Sequence, residues 1–219
     1  MGANGKAVII TIVLILVAAN GLWFLFLNSP HYADAKAKGR LILNMSSGTE
    51  ENGATNTAEY QKIRDDYLKA WQNLTFQSAF NTYVKKGSAT GYGVYEPRES
   101  NIFSPGETLE LYVEPVGYSF RPIQGENNTF SIDLSADTIV SEPSGREVTS
   151  LRGIPSGIMT THHKNTEAFL VLTVTPSQGV PEGDYVITYI VKDKNTGKVF
   201  DIVKNIKLSA GLQSKGTLR

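Results

Sequence analysis

Residues 185–208 read YVITYIVKDKNTGKVFDIVKNIKL, two apolar-rich runs joined by Asp193-Lys194-Asn195-Thr196-Gly197. Each run has strand length, and Gly197 can take the left-handed backbone conformation that closes such a turn, so 185–191 and 199–208 are predicted to form a β-hairpin. Upstream, Phe169-Leu170-Val171-Leu172-Thr173-Val174 is a continuous apolar run of strand length and is predicted to lie centrally in a sheet. Leu109, Leu111 and Val113 alternate with Glu110, Tyr112 and Glu114; Phe130, Ile132 and Leu134 alternate with Ser131 and Asp133. This period of two belongs to half-buried strands with one face to a core. The turn signals Ser104-Pro105-Gly106-Glu107 and Pro181-Glu182-Gly183-Asp184 each directly precede a strand. Short strands, regular turns and little helix predict a mainly β chain built as an antiparallel sandwich.

The amino-terminal end is of another kind. Residues 7–27 read AVIITIVLILVAANGLWFLFL, uncharged, with Thr11 and Asn20 the only polar members. As a helix this stretch spans roughly 30 Å, the thickness of a bilayer's hydrocarbon core. Trp23 near its end suits the membrane interface. The expectation is a retained transmembrane anchor in contact with membrane lipid. Ala33-Asp34-Ala35 offers a small-x-small cleavage pattern for the alternative, a signal peptide, but the apolar region is long for one. Lys6 precedes the span, while Lys36, Lys38 and Arg40 follow it, so positive charge alone does not orient the chain. The short amino terminus and the β-rich body favour a carboxy-terminal domain outside the cytoplasm.

Between anchor and strands, residues 41–56 have a linker composition. Asn56 with Glu59 resembles a capping box, and Tyr60, Ile63, Tyr67, Trp71 and Leu74 then recur at spacings of three and four. Lys62, Arg64, Asp65, Asp66 and Lys69 fill the other faces, which predicts an amphipathic helix. Its stripe either packs on the following domain or docks a protein partner.

Gly183-Asp184-Tyr185-Val186-Ile187-Thr188-Tyr189 resembles the opening of the penultimate strand of immunoglobulin-like domains, where a Tyr after a turn bonds back to the backbone and pins the corner between the sheets. Ser104-Pro105-Gly106-Glu107-Thr108-Leu109 looks like the entry to an early strand of bacterial and archaeal modules of that type. The antibody Cys-Trp-Cys core is missing. Residues 91–103, GYGVYEPRESNIF, resemble a stretch in an uncharacterised group of exported microbial proteins. The resemblance implies an immunoglobulin-like sandwich and export, and no activity. The expected organisation is an anchor or uncleaved signal over 1–28, a linker over 29–55, an amphipathic helix over 56–78, an immunoglobulin-like sandwich over 79–210 and a tail over 211–219.

Of 219 residues, 21 are Lys or Arg and 21 Asp or Glu. With no net charge and no recognised module, a nucleic-acid partner is not expected. Cysteine is absent, which removes disulfides, thiolate metal sites and cysteine nucleophiles. No phosphate-binding loop, nucleophile elbow or zinc-protease motif occurs, so the chain is read as a non-enzyme needing no cofactor. His162 and His163, with Met159, are weak metal candidates. Tyr92, Tyr95, Glu96, Arg98 and Glu99 could form a recognition surface, or a salt-bridge cluster fixing a crossing before the first core strand. Tyr118 and Phe120, if exposed, would make a carbohydrate or peptide platform; if buried, ordinary core. The expected function is an accessory or assembly protein with a protein partner in the cell envelope. The alternatives are a glycan- or peptide-binding module and a pilus-type filament subunit.

Overall fold

A computed structural model describes residues 10–17 and 50–212 of the chain. The amino-terminal helix expectation over 7–27 therefore falls mostly outside the described residues. The exception is 10–17, laid as strand β1 (Ile10–Val17) against the sandwich. Among the described residues no helix is long and apolar enough to cross a membrane. The helix α1 follows (Glu50–Asn73), then β2 (Gln77–Val84), β3 (Ile102–Phe103), β4 (Leu109–Val116), β5 (Arg121–Pro122) and β6 (Phe130–Ser141). The chain continues through β7 (Glu147–Thr161), β8 (Phe169–Pro176), β9 (Gly183–Asp193), β10 (Val199–Leu208) and a short 3-10 turn at Ala210–Leu212.

The chain is mainly β, in two sheets. One runs β1-β8-β4-β2; the other runs β3-β10-β9-β6-β5, with β7 paired to β6 beyond that path. All pairings are antiparallel except the two-residue β3, which runs parallel to β10. The expected hairpin forms in the expected register, with Val199 opposite Lys192 and Leu208 opposite Gly183. Gly197 takes a φ of 76° at its turn.

Between the sheets, alternate residues do what period two requires of them. Tyr185, Ile187, Tyr189 and Val191 of β9 meet Leu109, Leu111 and Val113 of β4 and Leu170, Leu172 and Val174 of β8 in one core. Tyr112 lies on the opposite, outer face, as the alternation requires, yet it is fully buried, because residues 85–100 fold across that face. Ala89, Tyr92 and Tyr95 close over Val84, Tyr112, Phe169 and Val171.

The helix differs from expectation at both ends. It begins at Glu50, inside the predicted linker, and stops at Asn73, short of 78. Asn56 thus lies within the helix instead of capping it. The strand β2 takes residues 77 and 78.

One contact seats the helix. The Trp71 side chain is 4% exposed, and its indole N–H donates to the Tyr118 carbonyl at 3.0 Å. The close approach rests on Gly117, whose φ is 71°. A Cβ there would lie 2.7 Å from the Thr75 carbonyl oxygen and 2.9 Å from that of Leu74. Trp71→Ala is expected to cost about 3–5 kcal/mol. Gly117→Ala should cost clearly more than Gly197→Ala, which meets nothing within 4 Å and carries only the roughly 1–2 kcal/mol of left-handed strain. Urea denaturation followed by circular dichroism measures all three.

Candidate docking surface

The residues of the predicted stripe are divided. Trp71 is plugged between Tyr118 (5.0 Å, edge to face) and Phe120 (6.4 Å). Upstream, Tyr60 (61% exposed), Ile63 (62%) and Tyr67 (51%) stand in solvent, and Leu74 beyond the helix is also exposed. The cause is geometric. The final turn is seated in the core, while nearer its start the helix runs beside the sandwich across open clefts, one of which Tyr60 and Tyr67 line without being covered. Leu68 is half-buried. On either side of it, clefts of about 470 and 390 Å³ separate α1 from the segment after β7, with Arg64, His163 and Lys164 lining both.

Tyr118 and Phe120 are therefore the socket for Trp71. Tyr118 is buried, donates its hydroxyl to the Asn165 carbonyl at 2.7 Å and accepts from the Ala168 N–H at 3.2 Å. Phe120 is half-buried, 5.5 Å from the Tyr118 ring. The exposed platform considered for these two residues is not present, because the helix occupies the place a ligand would take.

The other five candidates lie in the 85–100 segment, and four of them, all but Glu99, pack or bond within the chain itself. Arg98 donates Nη1 to Glu107 at 2.6 Å, Nη2 to the Ile102 carbonyl at 2.8 Å and Nε to the Ser100 carbonyl at 3.0 Å. Its guanidinium also sits 4.3 Å over the Phe103 ring. The second oxygen of Glu107 accepts the Ser104 N–H at 2.8 Å. A guanidinium used this fully fixes a chain crossing and has few donors left for a ligand. Glu96 pairs with Lys85 at 2.8 Å on the surface. That hydrogen bond and charge hold the carboxyl below its ordinary range and raise the lysine. Glu99 is exposed.

Tyr95 continues an aromatic ladder from Phe80 (5.8 Å) to Tyr112 (4.5 Å), and Tyr112 stacks on Phe169 (5.5 Å). Tyr92 is half-buried beside it. The Tyr112 hydroxyl accepts the Gly93 N–H at 2.7 Å and donates to Glu114 at 2.8 Å, so the segment is clamped at its tip.

His162 and His163 are both exposed at the end of β7, while Met159 is buried in the core. The structure does not bring the three together. Thr129 Oγ1 lies 3.4 Å from His162 Nδ1. Among the described residues, no three His, Asp or Glu side chains converge where a metal could bind.

Asp193 was legible only as a turn residue, yet it is buried and binds four donors. They are the Ser119 N–H and hydroxyl at 3.0 and 3.1 Å, the Asn195 N–H at 2.9 Å and the Thr196 hydroxyl at 2.9 Å. It ties the β9–β10 turn to the loop carrying the Trp71 socket. The aspartate-led turn signalled the local bonds; nothing in the sequence signalled Ser119, 74 residues away.

No family model matches this chain, and no curated protein matches it in sequence.

The buried phenols give the surface's framework a pH signature. Desolvation pushes Tyr83 up to about 12 and raises Tyr112, Tyr118 and Tyr189 as well. A phenol is charged only after losing its proton, so burial favours the protonated form. The unfolded chain releases these protons near pH 10, the folded chain later. Their stabilisation is complete below pH 10 and falls as pH rises towards 12 and beyond. In an absorbance titration of the ten tyrosines, these four should ionise only as the near-ultraviolet dichroism collapses. Smooth ionisation of all ten with the fold intact would contradict this packing.

Proposed function

We propose that this chain is a membrane-tethered accessory or assembly protein, anchored through residues 7–27 and acting outside the cytoplasm through protein–protein contacts. The single observation that carries the reading is the division of the helix stripe. Trp71 is the one residue of the stripe seated in the sandwich, and three large apolar residues before it, Tyr60, Ile63 and Tyr67, are left exposed. An amphipathic helix of a globular protein gains most of its stability from burying its apolar face. A partner's surface supplies that burial.

The immunoglobulin-like assignment of the sandwich is part of the same proposal. It is supported by the Tyr185 hydroxyl, which donates to the Pro181 carbonyl at 2.8 Å, the corner bond the resemblance implies. The anchor is supported by length and composition. In a bilayer, a helix of 7–27 satisfies its backbone internally and buries every side chain in lipid. In water, the eight residues 10–17 can instead cover β8. A glycan or peptide reading has lost Tyr118 and Phe120 to the helix socket and Arg98 to internal bonds, so the docking helix carries the proposal.

The test is gentle detergent extraction of the native membrane, followed by isolation of the tagged chain and mass spectrometry of its companions. A stoichiometric partner is expected with the natural sequence and should be lost from Tyr60→Ala/Ile63→Ala/Tyr67→Ala at unchanged melting temperature. Recovery of the chain alone from native membrane would reject the accessory reading. Retention of the partner by the triple variant would move the contact off the helix.

A further inference from the structure

We propose that the outer edge of β8 is a strand-acceptor site for an uncharged, extended segment of a partner protein. The inference rests on the reading of residues 7–27 as a bilayer span. It names a second contact for the same assembly function, on the sandwich rather than the helix.

The strand β8 pairs along one edge with β4, from Leu109 opposite Val174 to Val113 opposite Leu170. Its other edge holds β1 in an unbroken antiparallel register, from Ile10 opposite Pro176 to Val17 opposite Phe169. The occupant reveals what the edge accepts. Residues 10–17, ITIVLILV, carry no charge, and six of the eight are β-branched, the composition that favours an extended, pleated conformation.

That occupant cannot serve twice. Residues 10–17 lie within the 7–27 span, and a helix crossing the bilayer cannot also be a strand on β8. Once the span is in lipid, β8 becomes an edge strand with a row of unpaired backbone N–H and C=O groups. Edge strands are normally guarded by charges, prolines or bulges. The strand β8 has only Pro176, at its last position, while 169–175 contain none of these, and with β1 in place 169–174 are buried between the two cores. By contrast, the edge strand β2 carries a register shift between Ser78 and Phe80 and runs straight into Lys85 and Lys86. The edge strand β7 begins at Glu147 and carries Arg152. The β8 edge is thus built to be covered. Main-chain pairing to an added strand, with apolar side chains alternating to both faces, is the chemistry that covers it.

Cysteine is absent from the sequence, so introduced thiols are the only ones present. The experiment uses the full chain in lipid nanodiscs and, as probe, a lysine-flanked peptide of the 10–17 sequence carrying Val13→Cys. Val13 faces Thr173 in the register. Under mild oxidation, the peptide is expected to cross-link to the Thr173→Cys chain on the order of tenfold more than to a Val203→Cys chain, whose position is exposed on the other sheet. Equal labelling of the two chains would overturn the acceptor site and leave the anchor standing. Closure of a Val13→Cys/Thr173→Cys chain on itself in the nanodisc would overturn both. A cross-linked dimer of Val13→Cys and Thr173→Cys chains would name a second copy as the donor and overturn the assignment to a foreign partner.

Discussion

The placement of the helix on the sandwich depends on one indole. Trp71 inserts edge-on against Tyr118, meets Phe120, and gives its N–H to the Tyr118 carbonyl. Burying an indole this fully contributes a few kcal/mol, and a buried N–H left without its carbonyl would cost a further 1–3 kcal/mol or so. The socket is itself braced from three directions. Tyr118 bonds to Asn165 and Ala168 in the segment entering β8, Ser119 bonds to Asp193 in the β9–β10 turn, and Gly117 lets the backbone at 74–75 pass within contact distance. Both sheets therefore converge on the point where the helix arrives. The helix is anchored there by its last turn, while its earlier turns face the segment after β7 across open clefts.

The 85–100 segment performs a separate task. The outer face of the β1-β8-β4-β2 sheet carries Val84, Tyr112, Phe169 and Val171, too much apolar surface to leave in water. The segment covers it with Tyr92 and Tyr95 and is pinned by Arg98, by the Lys85–Glu96 pair and by the Tyr112 hydroxyl. The surface pair contributes little, because solvent screens it. Arg98 contributes more, being half-buried and bound to Glu107 and two carbonyls. Charge beside aromatics, which in sequence could have meant recognition, here closes a second small core.

The strands were legible because period two and turn chemistry agree: Leu109 to Val113, Phe169 to Val174 and the 185–208 hairpin all lie where their patterns put them. The long β7 was not. Gly153, Pro155 and Gly157 interrupt its pattern, and pairing to β6, with register shifts, holds it extended despite them. The start of α1 was missed because Asn52, Gly53 and Thr55 read as linker, and propensity is a weak signal. The stripe at 60, 63, 67, 71 and 74 was visible as a period of three to four, but which of its members find a partner is a tertiary fact. The same holds for Tyr118, Asp193 and Glu107, whose partners come from distant strands or the far side of a loop.

A sandwich that seats the end of a helix and leaves that helix's apolar stripe open is suited to presenting the stripe, which is what the proposed accessory role requires. The central claim is that the stripe from Tyr60 to Tyr67 is uncovered until a partner arrives, while Trp71 is always seated. Amide hydrogen exchange of the full chain in lipid nanodiscs tests this directly, since a helix seated in the core by its last turn and exposed before it should open readily there. The account predicts fast exchange over residues 57–67 and strong protection around Trp71 in the lone chain. Uniform protection from 57 to 73 would mean that the chain covers its own stripe, and would contradict it.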